Sequence, residues 1–463
     1  PRSTLLPYTT LFRSNAGYQR LLTFAVPGGG FEWFGHTPAN VWLTAYGVLE
    51  FTDMARAHPV DAAVIERTRQ WLFTQQSGDG SWNAIHRSES WAGPGSMTAF
   101  VAWALAESGD QSPRLGQALN YLRAHPQELA TAYVKALAAN AFLARDRNDS
   151  FGRELAAELR QTAIQGSDKT LHWTSGGYSV TYSHGEGMAV ETTALATMAM
   201  MKAGLWPESV KQALTWLSSR KVSNGTWGST QATILAMRAL LGGSAAALGQ
   251  EFDSTITIAV NGKAVETLRV NKENSDVMRQ IELTKYLQTG ENRLELRQAP
   301  AGELPFQIAG AYWLPALSSA RPATHPESAR TEPLAIDVRY DRTTLPVNDL
   351  LKCRVSVKNN TQQAINMAIV DLGIPPGFEV EATAFAALQA QGRTAKFELT
   401  GNQVILYLRE LSPEKPFEFE YALRAKYPLR VQAPASAVYE YYHPRNRAQS
   451  QAVTLQALGS GGI

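Results

Sequence analysis

The sequence predicts a multi-domain chain in which an α/α toroid is followed by all-β segments, and three observations carry that prediction. From about Gly17 to Leu248, Ala- and Leu-rich amphipathic segments follow one another with almost no β-branched alternation, the period of helices. Between them a loop of one kind recurs: Gly28-Gly29-Gly30-Phe31-Glu32-Trp33-Phe34, Asp79-Gly80-Ser81-Trp82, Ser175-Gly176-Gly177-Tyr178, and Asn224-Gly225-Thr226-Trp227. After Gly249 the texture changes to period-two alternation, beginning with Thr255-Ile256-Thr257-Ile258-Ala259-Val260 before the turn pair Asn261-Gly262.

The helical part is expected over 15–249. Its helices are read as opening at Thr44-Ala45-Tyr46, Thr98-Ala99-Phe100, Thr131-Ala132-Tyr133, Thr193-Ala194-Leu195 and Thr233-Ile234-Leu235. Glycine in each loop supplies the positive φ of a tight turn, and the aromatic plugs the gap between neighbouring hairpins. Inner and outer helices closing into a ring satisfy that repeat.

A partial β segment follows over 250–317, including Arg293-Leu294-Glu295-Leu296 and Ala309-Gly310-Ala311-Tyr312-Trp313. A Pro-bearing linker spans 318–333. A β-sandwich is expected over 334–457, from Leu334–Val338, Val355–Val357, Met367–Val370, Val404–Leu408, Phe417–Tyr421 and Ala437–Tyr441, with one helical insert from Ala382 to Gln391. Residues 458–463 read as a disordered tail and 1–14 as a non-native leader.

Composition removes several function classes. Lys+Arg 43 against Asp+Glu 41 leaves a formal net charge of +2 with scattered basic residues, so no nucleic-acid partner is indicated. No apolar run reaches the ~20 residues of a membrane-spanning helix. The single cysteine, Cys353, sits in the alternating run Leu350–Val357 and reads as a buried structural thiol.

The motifs do not support an enzyme. Gln76-Ser77-Gly78-Asp79-Gly80-Ser81-Trp82 has the Q-x-x-x-G-x-W pattern of terpene cyclases, yet the catalytic acid such an enzyme needs has only Asp146-Arg147-Asn148-Asp149 to draw on. The helical part has no cysteine for a prenyltransferase-type zinc. His36, His58, His86, His125, His172 and His184 show no metal spacing. No catalytic residue, cofactor or metal is expected.

Asn366-Met367-Ala368-Ile369-Val370-Asp371-Leu372 followed by Pro376-Gly377-Phe378, and later Val438-Tyr439-Glu440-Tyr441-Tyr442, resemble the C-terminal domain of alpha-2-macroglobulins. Gly17-Tyr18-Gln19-Arg20, Trp42-Leu43-Thr44-Ala45-Tyr46, His172-Trp173 and Ser229-Thr230-Gln231-Ala232-Thr233 are similar to the thioester-containing helical domain of the same family. The resemblance implies a C-terminal fragment of a protease trap, extracellular or periplasmic and free or membrane-anchored, with the 250–317 segment as the second half of a CUB-type domain. Target proteases would be partners of the full-length protein, and the toroid would contact the sandwich within the molecule. The family's Cys-Gly-Glu-Gln-like thioester motif is not in this chain, and Arg354-Val355-Ser356 after Cys353 rules that cysteine out as a substitute.

By position, the resemblance makes His86 a thioester-loop candidate. It makes Phe31 or Phe34 and Tyr441 or Tyr442 candidates to shield the reactive bond. Ala382 and Ala386 stand where animal members carry receptor-binding lysines, so that contact is not expected, and a bacterial-type member is. The alternatives are a non-covalent binding or structural module and, less favoured, a cyclase-like toroid enzyme.

Overall fold

The computed structural model describes residues 15–83, 92–166, 169–222, 225–247, 253–271, 274, 279–300, 306, 308, 310, 332–413 and 415–459. His86, the expected strand Ala309–Trp313, the leader and all of the linker except its last residues lie outside the described residues. The chain divides into two compact units, Pro1–Tyr312 and Trp313–Ile463.

In the first unit a helix over 15–22, α1, precedes α2 (Val41–Met54), α3 (Ala62–Thr74), α4 (Pro94–Glu107), α5 (Pro113–Ala124), α6 (Ala132–Arg145), α7 (Ser150–Gln161), α8 (Gly185–Ala203), α9 (Pro207–Ser219) and α10 (Thr230–Ala247). Two short strands, β1 (Ile164–Gln165) and β2 (Leu171–His172), pair within it. The even-numbered helices pack on one another in turn, α2 on α4, α4 on α6, α6 on α8 and α8 on α10, and the odd ones back them from outside. This is the inner and outer layering of an α/α toroid. The inner α4 and α8 are buried almost along their whole length, as helices apolar all round must be.

One polar unit recurs at the plugs. The backbone N–H of Phe31, Trp82, Trp173 and Trp227 donates to the hydroxyl of Thr44 (2.9 Å), Thr98 (2.9 Å), Thr193 (3.0 Å) and Thr233 (3.0 Å). The indole N–H of the three tryptophans reaches out to the carbonyls of Leu72, Leu159 and Leu217 at 2.7, 2.7 and 2.6 Å. Each tryptophan plug therefore ties an inner helix to the end of an outer one, with both of its N–H groups satisfied.

Two expectations change here. The third plug is Trp173, buried, whereas Tyr178 is 41% exposed. Four of the five threonines read as helix starts lie inside their helices, because their hydroxyls serve the plugs; only Thr131 is an N-cap. Gly80 is needed for its φ of +93° and because a Cβ there would sit 2.6 Å from the Gln117 carbonyl oxygen. Gln76 donates to the carbonyls of Gly80 and Arg114, so the Q-x-x-x-G-x-W stretch is a loop brace.

After the helices, β3 (Asp253–Val260), β4 (Lys263–Asn271) and β5 (Leu294–Ala299) form an antiparallel sheet in the order β4-β3-β5. Asn261 and Gly262 turn the β3–β4 hairpin with φ of +51° and +80°, both positive as a type I′ turn requires.

The second unit carries β6 (Leu334–Tyr340), β7 (Thr344–Pro346), β8 (Leu350–Asn359), β9 (Ile365–Gly373), β10 (Phe378–Glu381), α11 (Thr383–Ala390), β11 (Lys396–Leu399), β12 (Gln403–Leu411), β13 (Phe417–Ala425), β14 (Leu429–Gln432), β15 (Ala437–Glu440), β16 (His443–Gln449) and β17 (Thr454–Leu458). Sheets β10-β13-β8-β6 and β11-β12-β9-β15-β16 enclose one apolar core, and a small sheet β14-β17-β7 flanks them. Alternate residues of β8 (Leu351, Cys353, Val355, Val357) are fully buried, the signature of a strand with one wet face. Phe385 of α11 fills the core, its ring 5.2 Å from Tyr421 and 5.8 Å from Phe397.

Candidate functional site

Hairpin connectivity makes the inner helices run parallel, so their first turns gather at one mouth of the ring. Trp42, on α2, lies there edge-on to Trp33 (5.2 Å) and Tyr182 (6.4 Å). Tyr182 belongs to the loop before α8 and holds a left-handed backbone, φ +69°. The loop 32–36 is organised by the buried carboxylate of Glu32, which accepts from the N–H groups of Phe34 (2.8 Å) and His36 (3.3 Å).

Beneath this mouth lies a buried polar pocket that the sequence reading missed. Glu191 on α8 is fully buried and accepts from the Thr181 hydroxyl at 3.2 Å; Thr181 in turn meets Ser179 at 2.9 Å. Burial raises the Glu191 carboxyl to about 7, against the lowering pull of hydrogen bonds from Ser183, Ser179 and Thr181. The Tyr133 hydroxyl accepts from Val180 N–H at 3.2 Å, and burial together with the Glu191 charge pushes it well above its ordinary value. The carboxyl therefore changes ionisation near neutral pH. A glutamate in the unbroken run Met188-Ala189-Val190-Glu191-Thr192-Thr193-Ala194-Leu195 was the signal available, since no polar face there could have kept it wet.

The other end of the lumen holds charges from successive inner helices. Arg238 (α10) reaches Asp53 (α2) at 3.0 Å and Glu107 (α4) at 3.8 Å, while Lys202 (α8) pairs with Glu107 at 2.7 Å and donates to Asn140 (α6) at 2.9 Å. Burial opposes ionisation of Glu107, but Lys202, Arg238 and the Trp103 indole outweigh it and hold the carboxyl below its usual range. This cluster is a structural clasp, because every charge in it is matched.

The sequence-singled aromatics divide by exposure. Phe31 is a plug at 6% exposure, stacked obliquely on Phe51 at 5.5 Å, whereas Phe34 is half-buried. In the second unit Tyr441 and Tyr442 form the turn between β15 and β16 with rings edge-on at 5.1 Å; Tyr441 is 40% exposed and Tyr442 5%. Tyr441 N–H donates to the Met367 carbonyl at 3.0 Å, which pins the turn to β9. Cys353 is buried, and burial pushes its thiol up to about 12. Asp146 and Asp149 cap the turn into α7, and Asp149 also pairs with Arg123 at 2.9 Å. Among the described residues no group of three His, Cys, Asp or Glu side chains could hold a metal. No described helix is long and apolar enough to cross a membrane.

Residues 8–242 match the family model of the A-macroglobulin TED domain, which covers the helix ring and more than half of the chain. The chain belongs to the alpha-2-macroglobulin family. Residues 363–452 match the A-macroglobulin receptor binding domain, and 245–303 match the first CBM domain of cellulose synthase BcsB. The TED match begins at residue 8, inside the stretch that the sequence reading set apart as a leader.

Complement C3 of Oncorhynchus mykiss is 26% identical over the whole chain, which spans 28% of that relative; ovostatin of Gallus gallus is 24% identical over 95% of the chain and 30% of its own length. The chain thus spans under a third of these curated relatives. Native alpha-2-macroglobulin from Escherichia coli, solved from domain MG7 to the C-terminus, shares the fold with a TM-score of 0.63 at 18% identity, covering 96% of this chain and 67% of that one. Salmonella alpha-2-macroglobulin reacted with methylamine gives 0.65 at 16% identity, covering 96% of this chain and 28% of that one.

Proposed function

We propose that this chain is the C-terminal part of a protease trap of the alpha-2-macroglobulin type, working outside the cytoplasm and without enzyme activity of its own. The observation that carries the reading is the presence, in order in one chain, of a TED match over the helix ring and a receptor-binding-domain match over the sandwich. In this reading the reactive thioester is supplied by polypeptide upstream of α1. Cleavage of a bait elsewhere exposes it, and a nucleophile on the protease is acylated as the thiolate leaves. His86 is proposed to lie beside that bond, and the β3–β5 sheet to be half of a CUB-type domain.

The exposure of the aromatics narrows the choice of shields. Phe31 and Tyr442 are buried, so half-buried Phe34 and Tyr441 are the rings with surface left to cover a reactive bond. Incubating the full-length protein with a serine protease and resolving the products on a denaturing gel tests the trap. A protease-bearing band that survives denaturation supports it. Absence of such a band, with the protease fully active toward a large substrate, leaves a non-covalent or structural module.

A further inference from the structure

Five tight turns of one kind recur among the described residues of the helical unit: 26–30, 77–81, 166–170, 179–183 and 222–226. In each, the first N–H donates to the last carbonyl and the fourth N–H donates back to the first carbonyl, at 2.8–3.3 Å. The fourth residue holds a positive φ, and Gly29, Gly80 and Gly225 do so at +104°, +93° and +87°. In the 179–183 turn that place is taken by Tyr182 at +69°, and in 166–170 by Lys169 at +63°. A side chain in that conformation crowds the backbone as glycine does not.

Ties to four inner helices hold the 179–183 turn against that strain. Glu191 of α8 accepts from the hydroxyls of Ser183, Ser179 and Thr181. The Tyr133 hydroxyl of α6 accepts from Val180 N–H at 3.2 Å. The Ser183 hydroxyl meets that of Ser229, the residue before α10, at 3.5 Å, and the Tyr182 ring lies 6.4 Å from Trp42 of α2. The three hydroxyls on Glu191 are neutral, so a charge on that fully buried carboxylate has donors but no counter-ion among them.

We infer that the 179–183 turn is a proton-operated latch on the ring mouth: with Glu191 neutral the turn stays on α8, and loss of the Glu191 proton drives it to open and uncover Trp42. The carboxyl titrates at about 7 in the closed turn, against an ordinary 4.5 once wetted. The closed turn therefore has its full stability below about pH 4.5 and loses it as pH climbs through 7. The strained Tyr182 backbone acts in the same direction, since opening releases it. The latch needs neither a thioester nor a protease, so it goes beyond the trap reading and survives the failure of that reading.

The elements packed on α8 are α6, α7, α9, α10 and β2. Tyr133 of α6 is the titratable group on them that feels the Glu191 charge, and burial together with that charge keeps its hydroxyl protonated. Lys135 of α6 pairs with Glu158 of α7 at 2.6 Å, and Glu186 of α8 with Arg220 at 3.7 Å. His172 of β2 stacks on Trp216 of α9 at 4.9 Å, and His184 lies edge-on to Tyr178 at 5.3 Å. Arg238 of α10 and Lys202 of α8 sit on Glu107 at the opposite end of the lumen.

The test is amide hydrogen exchange of the full-length protein at pH 5, 6, 7 and 8, read by mass spectrometry as protection factors, which remove the intrinsic pH dependence of exchange. The glycine turns 26–30 and 77–81 are the references. Protection of the 179–183 turn should fall by about 70-fold from pH 5 to 8 while the references keep theirs. Glu191→Gln should abolish the fall. Thr181→Val, which takes one hydroxyl from the carboxylate, should carry the fall to higher pH. Protection at 179–183 that is flat with pH, that falls equally at the references, or that falls as much in Glu191→Gln would overturn the inference. Far-UV dichroism establishes folding. Should Glu191→Gln not fold, Thr181→Val decides, and an unshifted profile there overturns the inference.

Discussion

Glu191→Gln should convert a pH-sensitive helix ring into an insensitive one. The glutamate is fully buried, accepts from the hydroxyls of Ser183, Ser179 and Thr181, and has its carboxyl raised to about 7 from an ordinary 4.5. A carboxyl raised on folding leaves stability intact below the unfolded value and removes it as pH climbs through the folded one. The loss therefore accumulates between about pH 4.5 and 7 and is constant above. At 1.36 kcal/mol per pKa unit, the shift corresponds to about 3 kcal/mol. Glutamine keeps the shape and the neutral state while removing the ionisation.

The assay is urea unfolding followed by tryptophan fluorescence at pH 5, 6, 7 and 8. Fluorescence selects the right unit, since the second unit has no tryptophan after Trp313. Taking wild type minus Glu191→Gln at each pH cancels other groups, including Glu50, which burial and then Asp53 raise to about 7 as well. The difference should fall by about 2.5 kcal/mol from pH 5 to 8, the rest of the loss lying below pH 5. A flat difference, or one that rises with pH, would refute the reasoning.

Arg238→Ala should destabilise the ring by about 3 kcal/mol, because Glu107 and Asp53 lose their shared cation in a semi-buried setting; melting followed at the tryptophans checks it. Trp82→Phe removes the indole bond to the Leu72 carbonyl, which keeps the Gln75 N–H, for a loss of about 1 kcal/mol by the same assay. Phe385→Ala should cost the sandwich about 4 kcal/mol. It should leave the tryptophan-monitored transition in place, with the loss read by proteolysis of the second unit. Cys353 should resist iodoacetamide in the native protein and react only on unfolding, as mass spectrometry of the modified peptide would report.

Much of the fold was legible because its devices are local. The Gly-aromatic loops announce themselves in four to seven residues, and Phe31, Trp82 and Trp227 are the plugs the pattern named. Asn261-Gly262 and the alternation of β8 needed no tertiary information either. The third plug was misassigned to Tyr178, since the glycines there follow the true plug, Trp173, instead of preceding it. The threonines misled for a related reason. A hydroxyl near a helix start reads as a cap, and only the folded ring brings a loop N–H to it from up to twenty residues away.

The candidate site was harder to read. Sequence alone could not separate Phe31 from Phe34 or Tyr441 from Tyr442, because adjacent aromatics on a loop or turn alternate faces only once the turn is built. The lumen clasp joins residues as far apart as Asp53 and Arg238, and no spacing rule spans that distance.

The central claim, that these units belong to a covalent trap, is tested most directly by the intact mass and free-thiol count of the full-length protein before and after methylamine. The Salmonella relative was itself crystallised after reaction with methylamine. The account predicts one amine added at a glutamine upstream of α1 with one new thiol released, in addition to the buried Cys353. A folded full-length protein that takes up no amine and releases no thiol would contradict it.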